Sequence, residues 1–327
     1  MAESPRLSVA LVEPTTLLGR ELRRVLPESG LLVSDPVLLD QDERAGTLTA
    51  YDDEPILVQA VSDAALAGVD VAFFCGRSPL LATWQPMLEK GTVLAVDLAG
   101  DGGEAALVVA GVNDAPLHGQ RVLRSPSPPG LLLARVLGAV RDVGRARAEV
   151  VVFLPAASAD LAGVEELHAQ TLGILNVSSV PQEVFARQLA FNLYPADDDA
   201  VAGKRLVAEV KAVLGDAAPE MQATLVRVPL FLGLTALVLL DFAVTPEVGA
   251  VERALAATSG LKLVASGPAP SPLEQAESES DDALVSVLPD QGGQVRLWCV
   301  ADYPRLIVRN ALDVVGALVA RGEVPIT

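Results

Sequence analysis

Little in this chain is aromatic, basic or able to ligate a metal. Phe, Trp and Tyr make up only 4% of its 327 residues, so the core is expected to be built from Leu, Val and Ala. Cys75 and Cys299 are the only cysteines, and each sits inside an apolar run. Both read as small buried hydrophobes, which excludes a disulfide framework and a zinc site. The histidines, His118 and His168, stand too far apart for a His-based centre, and no metal is expected. The 24 Lys and Arg are outnumbered by 42 Asp and Glu, for a formal net charge of −18. Nucleic acids and anionic membranes need a basic face, so neither is expected as a partner. The longest apolar stretch, Val226 to Leu240, is interrupted by Arg227, Pro229 and Gly233 and is shorter than the ~20 residues a spanning helix needs. The opening MAESPRLSVALVE has no basic segment ahead of an apolar one, so no signal peptide is expected and the reading is cytoplasmic.

What is present is apolar and patterned. Hydrophobic residues make up 51% and charged residues 20%, the balance of a well-packed protein, and the length suits about two domains of ~100–200 residues. RLSVALVE (6–13) is a continuous apolar strand of the kind buried on both faces of a parallel sheet. LLGRELRRVLPES follows as a helix, with apolar residues at 17, 18, 22, 25 and 26. Strands recur at PVLLD, PILVQAV, VDVAFFC and TVLAVDLA, with a helix over 79–90, and ALVVAGV and RVLR close this half. Strands alternating with helices specify a doubly wound, Rossmann-like α/β domain, and the first strand–turn–helix unit marks its ligand edge.

VLRSPSPPGLLLARVLGAV (122–140) then sets three prolines within four positions at a strand-to-helix corner, where many enzymes keep a reactive group. After the helix at 129–144 the pattern changes. EVVVFLP, ARQLAFNLYP, ATLVRVPLFLG and TALVLLDFAV read as longer strands, less regularly interleaved with helices at 160–175 and 200–214. They predict an α+β domain with a mixed or antiparallel sheet. TPEVGAVERALAATSG reads as a helix with a Thr start, Pro at N1 and a Gly stop. GPAPSPLEQAESESDD (267–282) reads as a solvated acidic loop, open to a protein partner. QVRLWCVAD is a final strand and RLIVRNALDVVGALVA a final, mostly buried helix.

The chain resembles the aspartate-semialdehyde dehydrogenase family over almost its whole length. The resemblance rests on VALVEPTTLLGRELRRVL, VDVAFF followed by W-x-P, LVVAGVN at 107–113, AGVEELHAQT at 162–171, RQLAFNLYP at 187–195 and VRVPLFLG at 226–233. Members of that family reduce aspartyl phosphate to the semialdehyde with NADPH, through a cysteine thioester. The resemblance implies a Rossmann-like NAD(P)-binding-type domain at 1–128, completed by the last helix at 304–327. It implies a dehydrogenase-type dimerisation domain at 129–303 and a family-like homodimer.

The residues that carry the family's chemistry are changed. Its first turn reads G-A-T-G-x-V-G; here Glu13, Pro14, Thr15, Thr16, Leu17 and Leu18 precede Gly19, the one glycine kept. The missing glycines let a backbone approach pyrophosphate, and Glu13 puts a like charge there, where two charges ~4 Å apart repel by ~4 kcal/mol at an effective dielectric of ~20. Thr15, Gly19 and Asn310 are at most the remnant of a cofactor site, and no cofactor is expected. The turn that takes the adenosine phosphate is matched by 40–46, where Asp40, Asp42 and Glu43 surround Arg44; it reads as a solvated turn. The nucleophile position of N-P-N-C-S-T is Pro128, between Ser127 and Pro129, and the acid/base histidine position is Leu234. Neither side chain attacks or moves a proton. Ser125 and Ser127 read as turn or capping residues. Pro155 replaces a family glutamine, and Leu98, Ala99, Gly100 and Asp101 replace a phosphate-holding segment without its arginine. Asp302 and Asn310 are kept. His118 and His168 read as surface residues.

Arg227 matches the arginine that grips the substrate carboxylate. It is either a ligand-binding group or a structural partner of an acid such as Glu165 or Asp241. The chain is therefore expected to be a non-catalytic homologue with an interaction, scaffold or regulatory role. The alternatives are an active NADP-dependent semialdehyde dehydrogenase with a displaced nucleophile, for which Cys75 is the candidate, and a carboxylate- or phosphate-binding sensor built on Arg227.

Overall fold

The structure is a computed structural model that describes residues 6–77, 79–100, 103–114, 119–196, 199–278 and 280–324. The chain separates into two compact units, Met1–Ser127 with Ile307–Thr327, and Pro128–Leu306.

The first unit is built on β1 (Val9–Val12), α1 (Leu17–Val25), β2 (Val37–Asp40), β3 (Leu48–Tyr51), β4 (Glu54–Leu57), β5 (Gln59–Ala60), α2 (Asp63–Ala67), β6 (Val71–Phe74), α3 (Leu80–Leu88), β7 (Leu94–Asp97), β8 (Ala106–Leu107) and β9 (Val122–Arg124). Seven strands form one sheet in the order β5-β2-β1-β6-β7-β9-β8, and their pairings are parallel. Every residue of β1, β6 and β7 is buried, which is why these strands read as unbroken apolar runs. The order reverses between β1 and β6, and ligands of open α/β sheets bind outside the carboxyl ends of the strands at such a point.

PILVQAV, expected as one strand, is divided between β4 and β5. β4 pairs antiparallel with β3 instead of joining the main sheet. Asp52 and Asp53 make its two-residue turn with φ of 49° and 63°, the backbone of a type I′ hairpin.

The second unit runs through α4 (Pro128–Val140), β10 (Ala146–Leu154), α5 (Asp160–Leu175), β11 (Tyr194–Pro195), α6 (Asp199–Leu214), β12 (Glu220–Arg227), β13 (Gly233–Phe242), α7 (Val248–Ala256), β14 (Leu261–Leu263), α8 (Pro272–Glu277), β15 (Ala283–Gln291), β16 (Gln294–Asp302) and the start of α9 (Tyr303–Ala320). Its sheet, β11-β12-β10-β13-β16-β15-β14, is mixed: β10 runs parallel to β12 and antiparallel to β13. α4 is buried at every position from Pro128 to Leu137, Arg135 included, and apart from that arginine it is apolar all round, as a buried helix is expected to be. Asp302 caps α9, its Oδ1 accepting from Arg305 N at 3.0 Å. Among the described residues no helix is long and apolar enough to cross a membrane.

Three expectations are corrected in this unit. ARQLAFNLYP is strand only at Tyr194–Pro195. The helix of TPEVGAVERALAATSG begins at Val248, so Pro246 lies outside it and Glu247 is its N-cap without a side-chain bond; the Thr245 hydroxyl donates instead to Gly293 O at 3.4 Å. The supposed loop at 267–282 contains α8, closed by a capping box in which Ser271 Oγ accepts from Glu274 N at 3.3 Å and Glu274 Oε2 accepts from Ser271 N at 2.6 Å. Trp298 Nε1 donates to Pro270 O at 2.8 Å, which ties the same segment to β16.

Two sets of buried polar side chains hold irregular backbone in place. In the first unit Asn310, fully buried, accepts from Ala110 N at 3.0 Å and donates to Val108 O at 3.0 Å. In the second, AGVEELHAQT places Glu166 and Gln170 one turn apart on the buried side of α5. Glu166 accepts from Glu183 N, Val184 N and Phe185 N at 2.7, 2.6 and 3.0 Å. Gln170 accepts from Leu189 N and Ala190 N at 2.7 and 3.0 Å and donates to Pro181 O at 2.8 Å.

An unmet buried group costs about 1–3 kcal/mol, and Asn310→Ala strands two of them. The variant should lose about 2–4 kcal/mol in urea unfolding. Hydrogen bonds to a charged group contribute about 1.5–3 kcal/mol each, so Glu166→Ala should speed hydrogen exchange at the amides of 183–185 by about tenfold or more, read by NMR or mass spectrometry.

Candidate functional site

At the switch point of the first unit the chain leaves β1 through Glu13. Its N–H bonds Leu39 O at 2.8 Å, which prolongs contact with β2, and its φ of 60° turns the backbone into the left-handed region. The residue is 7% exposed. Its carboxylate lies against Gly76, just beyond β6, so closely that a Cβ on Gly76 would overlap it. Thr16 caps α1: its Oγ accepts from Gly19 N at 3.1 Å and lies 3.0 Å from both Glu13 O and Cys75 O. Gly19 is required for packing, since a Cβ there would fall 2.5 Å from Glu13 O.

Arginines hold the rest of this turn. Arg20 Nε donates to Thr15 O and Arg23 Nε to Pro14 O, each at 3.0 Å; Arg23 also bonds Ala50 O of the hairpin. Arg44 donates to Thr15 Oγ at 2.9 Å. Thr15, a candidate cofactor residue, thus has its hydroxyl engaged within the chain, and Asn310, another, has its amide engaged by main chain at 108–110. The 40–46 segment is a turn with Asp42 and Glu43 exposed. Asp40 departs from the expected solvated turn, being 2% exposed. Its Oδ1 accepts from Gln41 N at 2.8 Å, whereas Oδ2 has no hydrogen bond and lies 4.0 Å from Arg44. Burial raises its carboxyl above the usual range.

Cys75 follows β6, is 2% exposed, and lies 3.7 Å from Phe73 O. Burial, then the charges of Glu13 and Asp97, push its thiol far above the ordinary range. Burial likewise pushes Cys299 up to about 12. A thiol raised in this way holds its proton more tightly than a free one, and the thiolate is the nucleophile. Leu98, Ala99 and Gly100 form a turn on Asp97, whose Oδ1 accepts from Ala99 N and Gly100 N at 3.0 Å; Asp101 lies outside the described residues. Ser125 is buried, its N–H bonded to Asp97 O at 2.8 Å. Among the described residues no group of three or more His, Cys, Asp or Glu is placed to hold a metal ion.

In the second unit Pro128 and Pro129 open α4 and are buried. Leu234, fully buried, pairs with Ala301 across β13 and β16. Pro155 ends β10 ahead of a 3-10 turn at Ala156–Ala159, and Ala156 N and Ala157 N bond Leu230 O and Phe231 O at 2.8 and 3.0 Å. This lays the β12–β13 connection beside Ser158. Arg227, the last residue of β12, donates from Nη1 to Ser158 Oγ at 3.4 Å, and its guanidinium stands 5.5 Å over the Phe185 ring. Its Nε is buried without a hydrogen-bond partner. Neither expected acid pairs with it; Asp241 accepts instead from Gln294 at 2.9 Å. His168 is exposed on α5, and His118 lies outside the described residues. Phe185 and Ser158 were missed in the sequence, where neither carries a periodic or motif signal. Glu166 and Gln170 did leave one: two polar residues at i and i+4 among the apolar residues of a motif.

Residues 137–303 match the family model described as the semialdehyde dehydrogenase dimerisation domain. The chain is 28% identical over 316 residues to a USG-1 protein homolog of Pseudomonas aeruginosa, covering 92% of this chain and 94% of that protein. It is 25% identical over 332 residues to aspartate-semialdehyde dehydrogenase 2 of Vibrio cholerae, covering 97% and 98%. A solved structure of a probable aspartate-semialdehyde dehydrogenase from Pseudomonas aeruginosa superposes with a TM-score of 0.88 at 28% identity, covering 96% and 98%. The Candida albicans enzyme, solved with NADP, shares the fold at a TM-score of 0.73 and 14% identity, covering 97% and 99%. With a parallel Rossmann-like sheet, a mixed second sheet and this matching domain, the chain belongs to the aspartate-semialdehyde dehydrogenase family.

Proposed function

We propose that this chain is a non-catalytic member of the family, a dimer that holds a small carboxylate on Arg227 and acts by interaction or regulation. The state of Arg227 carries the reading. A guanidinium stays charged at any physiological pH and matches a carboxylate with two parallel N–H donors. Here it sits over an aromatic ring with Nε buried and unbonded, so a bound carboxylate satisfies a donor the fold leaves open. Glu166 and Gln170 act as positioning residues, because the loop they hold carries Phe185.

The surroundings support binding without turnover. The positions that resemble the family's nucleophile and acid/base are a buried proline and a buried leucine. A displaced-nucleophile enzyme would rely on Cys75, and a thiol raised by burial and two neighbouring carboxylates is a poor nucleophile. NADP, which the Candida enzyme binds, would supply hydride chemistry. The residues at the β1–α1 turn do not fit its pyrophosphate, because the Glu13 carboxylate fills the space beside Gly76. Dimerisation follows from the matching domain at 137–303.

Purified protein given aspartate semialdehyde, phosphate and NADP should form no NADPH above the buffer rate, against the ~1–10³ s⁻¹ typical of enzymes; turnover in that range would sink the proposal. Neither thiol should react with a chromogenic disulfide until the protein is unfolded. Calorimetric titration with aspartate and succinate should show binding. Arg227→Leu should abolish it, and Arg227→Lys, which keeps the charge but not the paired donors, should weaken it about tenfold or more. Equal affinity in all three proteins would exclude Arg227 as the carboxylate group.

A further inference from the structure

We propose that Glu13 is a built-in occupant of the phosphate seat in the first unit, an internal anion that stands where a ligand's pyrophosphate would. The inference deepens the cofactor part of the preceding section and does not depend on Arg227, because all its residues lie in the first unit.

Place is the first argument. The strand order reverses between β1 and β6, and phosphates in such sheets settle on the N-terminus of the helix after the first strand, against glycine backbone. Glu13 is the first residue past β1, α1 starts four residues later, and Gly76 is the glycine its carboxylate lies against. The carboxylate thus spans from the β1–α1 turn to the segment after β6.

The backbone is the second argument. Glu13 has a φ of 60°, a conformation uncommon for side chains other than Gly, Asn or Asp. Such strain persists only where the surroundings over-determine it, and it collects at ligand-binding places. Here Glu13 N is bonded to Leu39 O, and Glu13 O accepts from Thr16. A glycine would adopt this turn without strain and leave the seat open. The chain holds glutamate there instead.

Charge is the third. In a chain of net charge −18, the turn beside Glu13 is bonded by Arg20, Arg23 and Arg44, and α1 points its positive end at it. These arginines bond Pro14 and Thr15, the two residues that follow Glu13. The N–H of Gly19 is likewise taken by Thr16. The first unit therefore carries an anion of its own at this turn without a ligand.

The test uses the full chain and two substitutions, with inorganic pyrophosphate and NADP as probes. Glu13→Ser removes the charge and most of the side chain that fills the seat; Glu13→Gly removes both entirely and relieves the backbone. Wild type should bind neither probe at millimolar concentration. Both variants should bind pyrophosphate at least tenfold more tightly than wild type, and Glu13→Gly should gain NADP as well. Amide exchange over 17–19 should quicken in the variants and slow again when pyrophosphate is added, which a merely structural role would not produce. Should Glu13→Gly fail to fold, Glu13→Ser, which also empties the seat, decides alone. Submillimolar binding by wild type would overturn both this inference and the cofactor reading behind it. Silent wild type together with variants that gain no affinity would overturn this inference alone.

Discussion

Buried main-chain groups that lie outside helices and sheets must still find partners, and the candidate site depends on how this chain meets that demand. Between α5 and β11 the backbone runs for many residues without a ladder. Glu166 and Gln170 supply the missing partners from one side of one helix, taking five N–H groups and bonding one carbonyl. Phe185 can stand under Arg227 only because that segment is fixed. The same economy operates in the first unit. There Asn113 accepts from Val109 N at 2.8 Å and donates to Leu107 O at 2.9 Å, while Asn310 closes the same stretch from the last helix.

The carboxyl ends of the parallel strands tell a related story. Asp40 ends β2, Glu13 follows β1, Cys75 follows β6 and Asp97 ends β7, and all four are buried. The carboxyl edge of this sheet is thus lined by acids and a buried thiol. The arginines nearby bond carbonyls and a hydroxyl of the turn and so fix its backbone.

How far the sequence disclosed this follows physical lines. The parallel strands were legible because burial on both faces leaves an unbroken apolar run, as in VDVAFF and TVLAVD. The mixed second sheet was legible from strand length. The β3–β4 hairpin was not, because its turn is Asp52–Asp53 rather than a glycine pair. α8 was hidden by the prolines and acids around it, although Ser271 and Glu274 already have the spacing of a capping box. At 186–193 the apolar residues Leu189, Ala190, Phe191 and Leu193 suggested a strand, but the hydrogen bonds of Leu189 N and Ala190 N go to Gln170 and not to a neighbouring strand. Single side-chain partners are the least legible of all. Nothing in the sequence distinguished an Arg227 paired with Asp241 from one lying over Phe185, because that choice is made by three-dimensional proximity.

Asn310 also bears on how the protein is made. Its bonds to Val108 and Ala110 join residues about two hundred positions apart, and it sits on a helix that leaves a ribosome after the strands of its own sheet and after the whole of the second unit. At about 5–20 residues per second, the parallel sheet of the first unit waits roughly ten seconds or more for the side chain that closes it. Through that interval the second unit, a continuous segment, has all of its sequence available first. The first unit is therefore begun before the second and completed after it, so any nascent-chain protection these two units need falls on the first.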